Sequence, residues 1–115
     1  MAARSTGMSA QGDKDDAKAG IDVLRGRIDA LDTRLVELLS ERAQCALEIG
    51  DLKRALKVAI YQPARERDVI EHVCRLNRGP LDDEAMRRLF ERIIDEARRL
   101  ERVAVRAPGT IESED

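Results

Sequence analysis

The stretch IDVLRGRIDALDTRLVELLSERAQCALEIGDLKRAL, residues 21–56, decides the fold. Its seam positions are Ile21, Leu24, Ile28, Leu31, Leu35, Leu38, Arg42, Cys45, Ile49, Leu52 and Leu56, an unbroken alternation of three- and four-residue steps. Ten of these eleven are apolar, and no proline interrupts the run. A helix of 3.6 residues per turn brings that spacing onto one stripe, so the stretch reads as one long amphipathic helix. The exception is Arg42, in the middle of the stripe. A guanidinium buried in an apolar seam costs on the order of several kcal/mol unless an anion meets it. That anion is either a carboxylate of the protein or a ligand.

The length of the helix carries a second implication. At 1.5 Å per residue it spans about 54 Å, whereas a globule of 115 residues has a radius of gyration of only about 13 Å. Part of its cover is therefore expected from another copy of the chain. Composition points the same way on fold class. Charged residues make up 38% of the chain, aromatics 2%, and Ala, Leu, Glu and Arg abound, as in all-α proteins. The formal charge of -2 gives no basic field that would recruit nucleic acid. No segment has the length and apolarity of a membrane span. Cys45 and Cys74 both fall on apolar helix faces and read as small buried hydrophobes rather than a disulfide, which suits a cytoplasmic protein.

Around the long helix the chain divides simply. Residues 1–19 lack any apolar period and read as a disordered leader. The first helix is expected to begin between Asp16 and Ile21 and to end near Leu56. Lys57 to Gln62 form a connection, and Pro63 suits the first turn of a short helix reaching about Asn77. Gly79-Pro80 should end that helix, with glycine as its cap. Asp82 or Asp83 can cap a third, medium helix that carries Met86, Leu89, Phe90, Ile93, Ile94, Ala97 and Leu100 to about Val105. The ordered domain is thus 20–105, with a disordered tail at 106–115.

Four charges sit where the apolar pattern predicts core. Arg42 is one. Lys53 lies eleven residues on, within about 20° around the helix and about 16 Å along it, so the two could bracket a small dianion. Glu101 follows Phe90, Ile94 and Ala97 on the third helix's stripe. Glu66 stands near the start of the second helix, beside Arg65, a cation in a first turn where the helix dipole favours acids. Each alone has an ordinary structural reading, since seam charges on long helices snorkel or pair. Together they would build a polar pocket inside a helical bundle, a common place for a ligand site.

These residues lie in a recognisable series of strings. LRGRIDALD (24–32), LLSER (38–42), EIGDLK (48–53) and YQPARER (61–67) resemble the all-helical (AroQ-type) chorismate mutases. NRGPLD (77–82) and LFERII (89–94) look most like the mutase domain of bifunctional chorismate mutase–prephenate dehydratases. The resemblance covers about residues 21–104. It implies an intertwined homodimer of three-helix chains that rearranges chorismate to prephenate, in phenylalanine and tyrosine biosynthesis, without cofactor. By position, Arg42 would bind one substrate carboxylate and Arg25 would reach the other from the opposite subunit. Arg25 is about 100° around the helix from Arg42, so one helix can hardly aim both into one pocket. Lys53 would donate to the ether oxygen and Glu101 would meet it from the other side. Glu66 would hold the ring hydroxyl, and Arg65 would add positive charge at the wall.

The chain departs from the family in several places. At the Glu101 position some members carry Gln and others Glu, and a carboxyl donates to an ether oxygen only when protonated, which implies turnover that favours the acidic side. Ala97 replaces a serine seen in some relatives. Arg98 replaces an apolar wall residue, and either turns to solvent or supplies the lost contact. Gln62 replaces an Asp, leaving its backbone N–H to serve. His72 is expected on the exposed side of the second helix. Two rival readings remain: an isochorismate–pyruvate lyase on the same fold, and a non-catalytic helical dimerisation or regulatory module. The stretch after the third helix is too short for a dehydratase, so the chain is expected to be a free-standing mutase or one domain of a longer protein.

Overall fold

The computed structural model describes residues 9–106. Three helices account for them: α1 Ser9–Leu56, α2 Pro63–Leu76 and α3 Asp83–Arg106, with no strand among the described residues. The long, short, medium order is the expected one. The chain divides into two compact units at Ser40 and Glu41. The first contains the earlier part of α1; the second contains its last four turns together with α2 and α3.

α1 starts earlier than the apolar period suggests. Residues 9–19 were expected in a disordered leader, yet they extend the helix. Alanine and lysine are good helix formers, and propagating an existing helix is far cheaper than nucleating one. The remaining leader residues, 1–8, and the tail, 107–115, lie outside the described residues.

The end of α1 is a tight closure. Val58 donates its N–H to the Lys53 carbonyl at 3.0 Å and Lys57 to the Arg54 carbonyl at 3.1 Å. Lys57 itself has φ 60°, a left-handed conformation. The pair of bonds is a Schellman motif, which normally places glycine where Lys57 stands. The left-handed region costs a residue with a Cβ about 1–2 kcal/mol, and glycine's greater chain entropy returns part of that. Lys57→Gly is therefore expected to stabilise the fold by about 0.5–1 kcal/mol. Urea unfolding at fixed protein concentration would measure it, and a loss of stability would contradict the strain.

α2 opens at Pro63, after a Gln62 that makes no side-chain cap. It ends at Leu76, one residue before the expected limit, and its cap is Asn77 rather than Gly79. Asn77 organises the whole turn: its Nδ2 donates to the Leu81 carbonyl at 2.8 Å and to Asp83 Oδ1 at 2.9 Å, while its Oδ1 accepts from the Gly79 N–H at 3.0 Å. Gly79 has φ 75° and serves the turn, not the helix end. Asp82 caps α3, accepting the Ala85 N–H at 2.8 Å.

The core of the second unit is small: Ala46 from α1, Ile70 from α2 and Ile94 from α3. The apolar seam of α1 is otherwise exposed, from Ile21 through Leu38 to Leu56. Cys45, expected buried, is exposed, and Cys74 is half-buried; neither is in a disulfide. His72 is exposed, as expected. Among the described residues no helix is long and apolar enough to cross a membrane.

Candidate functional site

Within the second unit, α1, the 57–62 connection, α2 and α3 enclose a cavity of about 600 Å³. That volume suits a small organic ligand. Arg42, Lys53, Gln62, Arg65, Glu66 and Glu101 all line it. Six of the seven residues singled out from the sequence are therefore brought to one place. Arg25, the seventh, belongs to the part of α1 before Ser40, in the first unit.

Close approach of α1 and α3 sets the floor of the site. A Cβ built on Gly50 would lie 3.3 Å from the Glu101 Cα and 3.2 Å from its Cβ. Only a residue without a side chain lets the helices meet this closely, and it brings Glu101 under Lys53 three residues on. The Lys53 ammonium donates to Glu101 Oε1 at 3.0 Å and to the Ile60 carbonyl at 2.8 Å. Glu101 is the one charged side chain among the buried residues described, at 8% exposure. The Ile60 carbonyl was not foreseen. It reaches Lys53 only because the Schellman closure folds the chain back over the end of α1.

A second pair lines the same cavity. Arg98 donates its Nε–H to Glu66 Oε2 at 3.0 Å and an Nη2–H to Glu66 Oε1 at 2.9 Å. Its guanidinium also lies 5.0 Å from the centroid of the Tyr61 ring and 3.2 Å from Asp95 Oδ1. The hydrogen bond to Glu66 is the main reason its pKa rises above the ordinary arginine value, against the opposing cost of burial. Arg98 lines the cavity rather than turning to solvent. Its partner could not be read locally, since Glu66 is 32 residues away.

The charge balance follows from these pairs. Four cations and two carboxylates line the cavity. Lys53 is matched by Glu101 and Arg98 by Glu66. Among the described residues no ion pair includes Arg42 or Arg65. An arginine in the seam could be met by either of two anions, and no carboxylate of the described residues pairs with Arg42. The arrangement can hold a small dianion, with preorganised N–H donors from Arg42, Arg65 and Lys53.

Comparison with known proteins is consistent with this chemistry. The family model described as chorismate mutase type II matches residues 24–102. A bifunctional chorismate mutase/prephenate dehydratase of Stutzerimonas stutzeri is 45% identical over 93 residues, which are 74% of this chain and 26% of that protein. The chain thus spans about a quarter of the length of the curated relatives it matches. A chorismate mutase structure from Thermus thermophilus superposes with a TM-score of 0.70 at 35% identity, covering 71% of this chain and 93% of that one. A Helicobacter pylori chorismate mutase, solved in complex with prephenate, gives a TM-score of 0.72 at 27% identity and covers 77% and 97%.

Proposed function

This chain belongs to the chorismate mutase type II family, and we propose that its cavity rearranges chorismate to prephenate. The observation that supports the reading most is the pair Arg42 and Arg65, which line the cavity while the other two cations are matched by carboxylates. Chorismate is a dianion. It must be held in a compact, chair-like shape while the ether C–O bond breaks and a C–C bond forms within one molecule. The step needs no nucleophile and no proton removal. Positioning and preorganised electrostatics are what a protein can add, and both can be large.

The roles follow from the residue types. Arg42 forks onto one carboxylate, and Arg25 of the partner subunit takes the other. Arg65 adds positive charge at the wall, and the Gln62 backbone N–H is available to the ligand. Glu66 accepts from the ring hydroxyl. Lys53 has three N–H groups; two are spent on Glu101 and the Ile60 carbonyl, and the third donates to the ether oxygen as charge grows there. Glu101 holds the Lys53 ammonium in place against that oxygen.

A shared site makes the chain a homodimer. Leu24, Leu31 and Leu38 are 51%, 53% and 56% exposed along the seam, and a contiguous apolar stripe of this kind is rarely left open on a monomer. Sedimentation at micromolar concentration is expected to give a dimer; a folded monomer would overturn the shared site. A biosynthetic role, in the cytoplasm, goes with the same reading. The deciding assay follows loss of chorismate absorbance with identification of the product, beside a second run on isochorismate. Prephenate from chorismate is the expected result. Turnover of isochorismate alone would assign the chain to the lyases, and a folded protein inert to both would leave a non-catalytic module.

A further inference from the structure

Arg98 has no part in holding the two carboxylates or the ether oxygen, yet it makes the most complete polar contact in the cavity. Three groups fix it: the two oxygens of Glu66, the Tyr61 ring face and Asp95. Its side chain is 23% exposed and that of Glu66 25%, whereas Asp95 is 55% exposed and its charge is screened by solvent. The Glu66 contact therefore dominates.

The fork has two consequences for Glu66. Parallel donors on both oxygens stop the carboxylate from rotating. An ionised carboxylate offers about four acceptor sites, so each oxygen still has one left for a ligand. Its hydrogen-bonding capacity survives, but its charge is largely cancelled by the guanidinium beside it. A carboxylate without that partner attracts an ammonium more strongly than a hydroxyl; one already matched loses the advantage.

We propose that Arg98 is a positioning and specificity-determining residue, which holds the Glu66 carboxylate in place and makes this part of the cavity select a neutral ring hydroxyl over a ring ammonium. The inference rests on the assignment of Glu66 to the ring substituent of chorismate. The Nε–Nη2 edge of the guanidinium is spent on Glu66, and Nη2 also reaches Asp95.

The test compares kcat/KM for chorismate with that for its 4-amino analogue, which carries an ammonium at neutral pH. Wild type should favour chorismate. In Arg98→Met that preference should fall by about tenfold or more, because Glu66 becomes an unmatched anion. Arg98→Lys, which keeps the charge but not the fork, should retain the preference while raising KM for chorismate. The double variant Glu66→Gln, Arg98→Met removes both charges and should discriminate against the ammonium again. Loss of packing alone would lower both substrates together and leave their ratio unchanged. A ratio in Arg98→Met within about twofold of wild type would overturn the proposal. If the methionine variant does not fold, judged by its thermal melt, Arg98→Gln makes the same comparison. Absence of prephenate with wild type would instead sink the mutase reading, and this assignment with it.

Discussion

Lys53→Met is expected to lower kcat/KM for chorismate by about 10³-fold, the loss typical of removing one donor aimed at developing charge. It should also destabilise the fold, for a reason separate from chemistry. Glu101 is buried, and Lys53 is its ion-pair partner at 3.0 Å. Removing one member of a buried pair leaves the other as an uncompensated charge, at a cost of about 3 kcal/mol; the low end of the range applies because Lys53 is still 17% exposed. The two effects separate in the double variant Lys53→Met, Glu101→Gln. With both charges gone, a neutral amide faces a thioether of similar volume, and stability should return to near the wild-type value. Turnover should not return, because no donor is left for the ether oxygen beyond the amide. Activity recovering with stability would show that Lys53 serves the fold and not the reaction. Urea midpoints and initial rates on the same preparations decide between these outcomes.

Much of this was legible in the sequence because local spacing carries it. The three helices follow from the 3–4 stripe of residues 21–56, Pro63 at the start of α2 and Asp82 at the start of α3, each of which acts within a few residues. Arg42, Lys53, Glu66 and Glu101 stood out because they break an apolar pattern. What escaped the reading was set by contacts across the chain. The Ile60 carbonyl reaches Lys53 only through the left-handed turn at Lys57, and nothing about a lysine announces that conformation. The end of α2 was misread for a similar reason: Asn77 can satisfy the turn with its own side chain, so Gly79 was free to act two residues later. The early start of α1 reflects propagation of the helix into a polar stretch with several alanines and lysines, which apolar periodicity does not register. The seam was legible as a stripe, and within one chain most of it is exposed, as a helix that takes part of its cover from another copy would be. Periodicity reports which residues share a face, whereas cover depends on what lies against that face, and Cys45 is exposed with the rest of it.

Arg42→Ala is the variant that separates a ligand site from a structural seam. Its expected effect is a loss of about 10²- to 10³-fold in kcat/KM, from a fork that holds one carboxylate of the substrate in the reacting shape. By the factor of ten per 1.36 kcal/mol, that amounts to about 3–4 kcal/mol of transition-state binding. The accompanying change in stability should be small, within about 0.5 kcal/mol, as for substitutions that break no buried pair. The contrast with Lys53 is the point. Arg42 lines the same cavity, yet among the described residues it appears in none of the ion pairs, so its removal orphans no buried carboxylate. If an apolar seam carries a cation that the fold does not match, what matches it is expected to come and go with the ligand. A non-catalytic module makes the opposite forecast: Arg42→Ala would leave no activity to lose and would relieve an unmatched charge, raising the unfolding midpoint. Prephenate formation and the urea midpoint, measured together on wild type and Arg42→Ala, therefore place the seam arginine in the reaction or in the fold.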